Sequence, residues 1–252
     1  MGTFFNIRYE LDKPTVLQRI DDQINNDEVG YVCVADGVIL NLVDRLPGYK
    51  EVVDEAMFSI CDSSYVPLYL RWIYGMDADQ YCGIDLFRDI IGKKKYKMAF
   101  LGGSEYILDA IKQKLSTEDE RADEMLYMEL PFCRADEFDY ESIARIVNRH
   151  KPDIIWVSLG APKQEIFMNM LKPYLHHGVL IAIGAAFKFY CGKGERRAPQ
   201  WMINNHLEFF YRIIHSPRKQ LNRCAWIIRT LPGLLYGEWK RKKEAQRDVA
   251  TV

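Results

Sequence analysis

KPDIIWVSLGAPKQEIFMNMLKPYLHHGVLIAIGAAFKFYCGKGERRAPQWM, residues 151–202, is the stretch from which the fold can be predicted. It contains two short apolar runs, residues 154–159 and 179–184, joined by a segment of helical pattern that begins at Pro162. Apolar runs that end in small residues are typical of strands covered on both faces of a parallel sheet. The stretch therefore predicts two buried parallel strands connected by a helix.

Both predicted strands end in glycine-bearing turns, one at Gly160 and the other at Gly184. Small residues allow a ligand to approach the backbone, and open α/β sheets bind ligands at the carboxyl ends of their strands. Lys163, Gln164 and Glu165 fall in the first turn of the predicted helix, beside its positive end. This pattern predicts a binding site for an anionic ligand.

Strands and helices alternate along the chain as far as about residue 190. We predict strands at residues 4–11, 30–35, 58–61, 97–101 and 125–130, and helices at residues 15–24, 38–45, 66–74, 106–115 and 140–150. Such alternation favours a Rossmann-like parallel-sheet core covered by helices. We expect residues 1–195 to form this α/β core and residues 196–252 a helical, basic C-terminal appendage. The helix at 66–74 is apolar almost all round, which predicts that it is buried.

The composition is that of an ordinary soluble globular protein, with 48% hydrophobic and 27% charged residues in 252. A chain of this length can bury one sizeable core. No apolar run approaches the ~20 residues of a membrane-spanning helix, and the N-terminus has no signal-peptide pattern. The six cysteines of the chain are scattered along it, which favours reduced thiols in a cytoplasmic protein over disulfides.

Charge is distributed unevenly along the chain. Residues 193–252 contain 13 Lys and Arg but 5 Asp and Glu, whereas the remaining residues contain 21 basic and 30 acidic ones. A basic tail on an acidic body predicts an anionic partner, either nucleic acid or anionic lipid. In this tail, basic residues alternate with large apolar and aromatic ones, and the candidates for membrane or acceptor contact are Arg212, Arg218, Lys219 and Arg223. That pattern suits a helix lying at a membrane interface, and it equally suits a helix packed on the core with a solvated basic face. It also predicts helix breaks at Ser216-Pro217 and Pro232-Gly233.

Three blocks of sequence resemble one known family. The runs GAPKQE, IGAAFKFYCGK and RRAPQWM, in this order and rough spacing, resemble the WecG/TagA/CpsF glycosyltransferases of bacterial envelope polysaccharide synthesis, from about Tyr31 to about Arg223. The resemblance implies a nucleotide-activated sugar donor, typically a UDP-sugar, and a lipid-linked glycan acceptor at the cytoplasmic membrane face. It also implies catalysis without a metal and a C-terminal appendage that reaches the membrane, and it leaves open a possible homo-oligomer.

Asp62 is the candidate catalytic base. It follows the predicted strand at residues 58–61, and the resembled family usually has Pro-Asp-Gly here with the aspartate proposed as the base. This chain has Cys61-Asp62-Ser63, so the aspartate is kept and its neighbours differ. Without the resemblance, a helix N-cap is the favoured interpretation of an aspartate in this position.

Several predicted substrate-binding positions depart from the family pattern. Val34-Ala35-Asp36 replaces a common Thr-Pro-Asn, Gln80 stands where the family has an arginine, and Lys188 interrupts a frequent Phe-Asp-Phe. An aspartate only accepts hydrogen bonds where an amide also donates them, so the departures change what the site can recognise. We interpret them as altered donor or acceptor specificity, with loss of activity as the alternative.

Other predicted substrate-binding residues would hold the nucleotide and its diphosphate. Gly102 and Gly103 precede a predicted helix in a phosphate-cradle order, although a tight turn explains the same pattern. We expect backbone amides near Gly160 and Gly184 to bind the diphosphate. Gln164 could address a sugar hydroxyl or the uracil edge, and Lys163 could pair with phosphate. Arg196 and Arg197 are suited to bidentate phosphate contacts, and a surface turn explains them equally well.

One Asp-x-Asp occurs, at Asp77 and Asp79, and such pairs hold a divalent cation in many glycosyltransferases. No apolar strand precedes it and the resemblance implies catalysis without a metal, so we predict that no metal or other cofactor is used.

The sequence thus predicts an inverting glycosyltransferase that is peripheral on the inner face of the bacterial cytoplasmic membrane. Its donor would be a UDP-sugar of the N-acetylmannosamine, mannosaminuronic acid or glucose type, and its acceptor a polyprenyl-diphosphate-linked saccharide. One alternative is a nucleotide-binding or scaffold protein of the same fold that has lost catalysis. A nucleic-acid binder is disfavoured, since the body is acidic and the tail's basic residues alternate with an apolar face.

Overall fold

The computed structural model describes residues 1–193, 198–199, 201–202, 207–215 and 217–250, without the side chains of residues 208–209, 212, 215, 217–220, 222–224 and 248–250. The strands are β1 (Gly2–Phe4), β2 (Ile7–Tyr9), β3 (Gly30–Ala35), β4 (Phe58–Cys61), β5 (Met98–Leu101), β6 (Leu126–Met128), β7 (Ile154–Val157) and β8 (Val179–Ala182). The helices are α1 (Lys13–Asn25), α2 (Gly37–Leu42), α3 (Tyr49–Asp54), α4 (Val66–Tyr74), α5 (Gly83–Gly92), α6 (Glu105–Ser116), α7 (Tyr140–His150), α8 (Lys163–Leu171), α9 (Ala186–Cys191), α10 (Glu208–His215) and α11 (Pro217–Ala250).

The strands form one sheet in the order β1-β2-β4-β3-β8-β7-β5-β6. β1 and β2 pair antiparallel, and the other neighbouring strands pair parallel. The predicted Rossmann-like, helix-covered parallel sheet is confirmed. The first element differs from the single strand predicted at residues 4–11, because Phe5 and Asn6 adopt positive φ angles of 53° and 58° and turn the chain into a hairpin.

Side chains alternate between the two faces of the sheet, as the two-residue period of a strand requires. Val32 and Val34 of β3 belong to one core, which α1, α5, α6 and α9 cover. Tyr31 and Cys33 point to the opposite core, beneath α7 and α8. Full burial of each such side chain stabilises the fold by roughly 1.5–3 kcal/mol, which explains why the central strands are apolar throughout.

The connections after β5 and β7 run in opposite directions along the sheet. β5 is followed by a connection to the edge strand β6, whereas β7 is followed by one to β8, nearer the centre. Their helices accordingly cover opposite faces, with Ile111 of α6 in one core and Phe167 of α8 in the other. Such a divergence leaves a crevice at the carboxyl ends of the strands, which is where open α/β sheets bind ligands.

α4 is only half buried, so the prediction of a helix buried all round is wrong. Val66, Leu70 and Ile73 are buried against the N-terminal hairpin and α2, while Leu68 and Trp72 are exposed. The reason lies in its position beside the outer strands of the sheet, where one layer of structure covers one side of the helix.

α11 is continuous, so the predicted helix break at Pro232-Gly233 is also wrong. A proline inside a helix costs about 3 kcal/mol. Packing offsets this cost, because Thr230, Leu234 and Glu238 are buried around the proline. Among the described helices, none is long and apolar enough to cross a membrane.

Glu238 attaches α11 to the core. Its buried carboxylate accepts hydrogen bonds from the backbone N–H of Phe5 at 2.9 Å, the hydroxyl of Tyr74 at 2.7 Å and the guanidinium of Arg241 at 2.6 Å. These bonds join α11 to the hairpin turn and to α4. The predicted domain boundary between residues 195 and 196 stays a prediction, but the second half of α11 packs directly on the α/β core.

Candidate active site

A cavity of about 1100 Å³ lies at the carboxyl ends of the parallel strands. Its walls are the segments that follow β3, β4, β5, β6, β7 and β8, so residues far apart in sequence meet there. The predicted site residues that line it are Asp36, Asp62, Gln80, Gly103, Gly160, Lys163, Gln164, Gly184 and Lys188. Gly102 and Glu165 lie behind this wall.

Asp62 directly follows β4 and lines the cavity. Its backbone N–H donates to the Ala35 carbonyl at 3.1 Å, which extends the β3–β4 pairing to the site. The carboxylate Oδ1 accepts from the N–H of Gly83, at 2.8 Å, and the Gln80 side chain donates to the Asp62 backbone carbonyl at 2.6 Å. Asp62 is therefore a positioned carboxylate on the cavity wall, the type of group that can accept a proton from a bound hydroxyl.

Asp36 caps helix α2. Its Oδ1 accepts from the N–H groups of Val38 and Ile39, at 2.8 and 3.1 Å, as an N-cap aspartate does. It also lines the cavity, since α2 begins at the end of β3. The structure thus assigns this side chain a local structural role and places it where a ligand can reach it.

Gln164 fixes the turns after β7 and β8 to each other. Its side chain Oε1 accepts from the N–H of Gly160 at 3.0 Å and from the N–H of Gly184 at 3.2 Å. The two glycine amides that we expected to bind a diphosphate are therefore already hydrogen-bonded within the protein. Binding of a diphosphate by other backbone amides near these glycines stays a prediction, and the two hydrogen bonds make Gln164 a brace between two turns.

Glu165 holds the side-chain amide of Gln164 in this orientation from the side that faces away from the cavity. The Gln164 Nε2 donates to the Glu165 Oε1 at 2.8 Å, and the Tyr49 hydroxyl donates to Oε2 at 3.1 Å. Glu165 is fully buried, and burial raises its carboxyl pKa to about 7, with the nearby Asp36 carboxylate adding to the rise. Burial also raises the pKa of the Tyr49 hydroxyl. Glu165 supports the site rather than contacting a ligand in the cavity.

The turn after β5 combines tight backbone packing with a helix start. Gly102 and Gly103 have φ angles of 87° and 81°, and a Cβ at Gly102 would lie 2.7 Å from the Ser158 carbonyl oxygen. Gly102 is therefore required for the close approach of two turns, while Gly103 lines the cavity beside Ser104, the N-cap of α6. The positive end of α6 faces this part of the cavity.

Two lysines line the cavity in different settings. The Lys163 ammonium donates to the Cys133 carbonyl and lies 4.8 Å from the centre of the Phe138 ring, so it is held within the protein. Lys188 is exposed on α9, which packs against α6. Lys188 is therefore the better placed of the two cations to meet an anionic ligand.

Some predicted residues lie outside the described part of the chain. Arg196 and Arg197 do, as do the side chains of Arg212, Arg218, Lys219 and Arg223, whose backbones belong to α10 and α11. Asp77 forms an ion pair with Arg71 at 3.6 Å, and neither it nor Asp79 lines the cavity. In the described residues, no cluster of three or more His, Cys, Asp or Glu is arranged to hold a metal ion.

Several residues that line the cavity were not predicted from the sequence. Glu129 and Phe132 line the cavity after β6, and Glu129 Oε2 accepts from the Glu105 N–H at 3.2 Å. Ser158 follows β7 and donates to the Gly184 carbonyl at 2.6 Å. The signal that could have found Glu129 and Ser158 is simple: each is a polar residue directly after a parallel strand.

The fold and the cavity together define a class of proteins. A parallel α/β sheet with a ligand cavity at its switch point, glycine turns and a positioned carboxylate is typical of Rossmann-like proteins that bind nucleotides and carry out acid–base chemistry.

Comparison with known proteins narrows the class to one family. Residues 3–248 match the model of the Glycosyl transferase WecG/TagA/CpsF family, and the chain belongs to this family. The resemblance in the three sequence blocks is thereby confirmed, and the protein is a glycosyltransferase.

Its relatives include N-acetylglucosaminyldiphosphoundecaprenol N-acetyl-beta-D-mannosaminyltransferases. The one from Bacillus subtilis (strain 168) is 27% identical over 212 residues, 82% of this chain and 77% of the relative. The one from Staphylococcus aureus (strain MW2) is 21% identical over 251 residues, 94% of this chain and 92% of the relative.

Proposed function

We propose that this glycosyltransferase is inverting and transfers a sugar from a UDP-sugar to a polyprenyl-diphosphate-linked saccharide in exopolysaccharide, capsule or teichoic-acid-type synthesis. The sugar would be of the N-acetylmannosamine, mannosaminuronic acid or glucose type. The relatives support the acceptor class, since their names specify a GlcNAc-diphosphoundecaprenol acceptor and an N-acetylmannosaminyl group. The observation that carries the proposal is the Asp62 carboxylate, fixed by the Gly83 amide on the wall of a cavity at the switch point.

The proposed step is a single displacement. The acceptor hydroxyl gives its proton to the Asp62 carboxylate while its oxygen forms a bond to the anomeric carbon of the donor. The bond from that carbon to the diphosphate oxygen breaks on the opposite face, and UDP leaves with the electron pair. Attack opposite the leaving group inverts the anomeric configuration.

The leaving diphosphate needs positive charge and hydrogen-bond donors. Because the Gly160 and Gly184 amides donate to Gln164 and the first N–H of α6 donates to Glu129, we assign this role to the Lys188 ammonium, which lines the cavity. Arg196 and Arg197 remain proposed diphosphate partners, since guanidinium groups bind phosphate bidentately.

Glu129 suggests where the uncharged part of the donor binds. A carboxylate that accepts from the first N–H of α6 would repel a phosphate placed directly on it. Carboxylates accept hydrogen bonds from hydroxyls, so we place ribose or sugar hydroxyls near Glu129 and the diphosphate nearer Lys188.

The departures from the family pattern gather in this one cavity. Val34, Asp36, Gln80 and Lys188 all line it, although they follow different elements of the fold. Substitutions that share one ligand space can compensate each other, so we propose that they alter donor or acceptor specificity. The alternative of lost catalysis makes a different prediction, namely UDP binding without transfer to any acceptor.

We also propose that the protein acts at an anionic membrane surface, on the inner face of the bacterial cytoplasmic membrane. The basic residues of the tail would attract anionic lipid, by about 1 kcal/mol for each Lys or Arg near the surface. Assembly into a homo-oligomer and catalysis without a metal or other cofactor stay predictions. We propose no nucleic-acid partner.

Transfer from a panel of UDP-sugars to a lipid-linked monosaccharide, followed by mass spectrometry with and without EDTA, tests the function. We expect the mass of one sugar to be added in both conditions. In the variant Asp62→Asn, the amide oxygen can still accept from the Gly83 N–H, so UDP binding should persist while transfer falls about 1000-fold.

Asp79→Asn is the matched control, because Asp79 is exposed and lies outside the cavity. It should transfer at the rate of the unchanged protein. Near-normal transfer by Asp62→Asn would remove Asp62 from the role of base. Transfer abolished by EDTA and by Asp79→Asn would instead indicate a metal at the Asp-x-Asp.

A further inference from the structure

One side of α4 is apolar and exposed. Tyr65, Leu68, Trp72 and Met76 are 37%, 43%, 72% and 36% exposed, and their spacing of three, four and four residues places them along one side of the helix and its flanks. We call these four residues the α4 stripe. Aligned apolar side chains in water are unfavourable for a monomer and usually mark a contact surface.

We infer that the α4 stripe inserts into the lipid–water boundary of a membrane and brings the mouth of the cavity to it. This inference rests on the proposed function, since a polyprenyl-linked acceptor lies in a membrane. It goes beyond the basic tail, because it assigns an apolar contact to a helix of the core.

The residue types fit a membrane interface. Tyr and Trp place an apolar ring in lipid and a polar edge in water, and long basic side chains extend to the headgroups. Arg71, which forms an ion pair with Asp77, is exposed on α4 next to Trp72. On the neighbouring α11, the exposed Trp239 ring has the Lys243 ammonium 3.6 Å from its centre. Apolar, aromatic and basic residues on adjacent helices are the composition of interfacial membrane contacts.

Charge favours lipid over a second copy of the chain as the occupant. α11 lies against α4, where the Lys242 ammonium donates to the Ile73 carbonyl, and it carries four consecutive cations at residues 240–243. A two-fold symmetric pairing through this region would bring like charges together. An anionic lipid surface attracts the same charges.

The position of the stripe relative to Asp62 gives the contact a function. α4 begins at Val66, four residues after Asp62, and its nine residues span about 13 Å. The distance from the proposed base to a membrane in contact with the stripe is therefore about the length of α4. A lipid-linked acceptor could reach the cavity without leaving the bilayer.

Vesicle sedimentation with the full chain tests the inference. Leu68→Gln combined with Trp72→Gln should weaken binding to vesicles of phosphatidylcholine and phosphatidylglycerol at least about tenfold, because each buried apolar side chain contributes a sizeable part of the partition energy. Trp72→Phe should retain binding. The control is Ile146→Gln with Tyr174→Gln, two exposed apolar residues (40% and 43%) on α7 and after α8, which should bind as the unchanged protein does.

A second readout separates this inference from the proposed function. The α4 double variant should keep transfer to a water-soluble short-chain acceptor and lose it, in proportion to binding, on an acceptor embedded in vesicles. Vesicle binding needs no turnover, so failure to find any transfer would count against the proposed function alone. Unchanged vesicle binding by the α4 double variant, or a change only in its oligomeric state, would overturn the inference in favour of a protein partner.

Discussion

Gln164 connects two of the turns that surround the cavity. One carbonyl oxygen accepts from both the Gly160 and the Gly184 N–H, and the amide nitrogen donates to Glu165. Gln164 and Glu165 are both buried, so water cannot replace these bonds without rearrangement. At this residue the binding site and the stability of the fold depend on the same side chain.

The substitution Gln164→Leu should therefore affect both the stability of the fold and the binding site. It leaves two backbone N–H groups and the Oε1 atom of Glu165 without their Gln164 partner, which should lower the free energy of unfolding by about 3 kcal/mol. UDP binding should weaken as well, because the turns after β7 and β8 lose their brace. Urea unfolding and a UDP titration measure the two effects.

Asn169→Leu on the same helix is the matched control. The Asn169 side chain donates to Tyr31 and Glu55 and lies outside the cavity, so its loss should leave UDP binding unchanged. Normal UDP binding by Gln164→Leu would show that the brace is not needed to form the site.

Glu165 makes stability depend on pH. Its ordinary pKa is 4.5, and burial raises the pKa to about 7 in the folded protein. Between these values the folded protein keeps the proton and the unfolded chain has lost it, so stability falls as pH rises towards 7 and then levels off. At about 1.4 kcal/mol per pH unit, the loss is about 3 kcal/mol.

Glu165→Gln removes this titration while it keeps a side chain of the same shape. The free energy of unfolding of the variant, relative to the unchanged protein, should increase by about 3 kcal/mol between pH 4.5 and pH 8. Urea unfolding across this range measures the difference, in which the other titrating groups cancel. A difference that does not vary with pH would contradict the raised pKa.

At the scale of secondary-structure elements, α11 is held by packing that overrides its local sequence. Pro232 lies inside the helix, and Leu234 and Glu238 beyond it are buried. The Ile227 side chain also approaches Gly37 at the start of α2, where a Cβ would lie 3.1 Å from it. The helix therefore contacts an element that begins at the cavity wall.

Glu238→Ala should release the second half of α11. It removes the acceptor for the Phe5 N–H, the Tyr74 hydroxyl and Arg241, at a cost of about 3 kcal/mol. Hydrogen exchange should become faster in residues 230–247 of the variant. Glu244→Ala is the control, because Glu244 is exposed in an i,i+4 pair with Lys240, and removal of such a pair should cost about 0.5 kcal/mol or less. Equal protection of α11 in both variants would contradict the attachment role of Glu238.

At the scale of the whole molecule, charge and chemistry are separated. Basic residues are enriched in residues 193–252, whereas the cavity wall carries the carboxylates of Asp36, Asp62 and Glu129 together with the ammonium groups of Lys163 and Lys188. Such a molecule orients on an anionic surface by its basic part.

Substitution of Arg218, Lys219 and Arg223 by Gln should weaken binding to anionic vesicles by roughly 100-fold at low salt, and it should reduce the salt dependence of binding. The matched control replaces Arg88, Arg145 and Arg149, three exposed cations on α5 and α7, by Gln. The control should bind normally. Equal losses in the two triple variants would show that net charge, and not the tail, determines binding.

The sequence by itself determined the parallel strands of the core, several of its helices, the family and nine of the residues that line the cavity. The strands, the helices and the wall positions follow from local properties, because strand periodicity, turn glycines and polar residues at strand ends do not depend on distant contacts. The family follows from the three resembling blocks, and the resemblance is also what singled out Asp62 as the candidate base.

Only the tertiary structure decided how those residues are used. The Gln164 side chain accepts hydrogen bonds from the N–H groups of Gly160 and Gly184. Helix α4 leaves Leu68 and Trp72 exposed, and helix α11 continues through Pro232. Each result depends on which distant residues come into contact and on how many layers cover a helix. Burial and hydrogen-bond competition arise when the chain has folded, and no local pattern contains them.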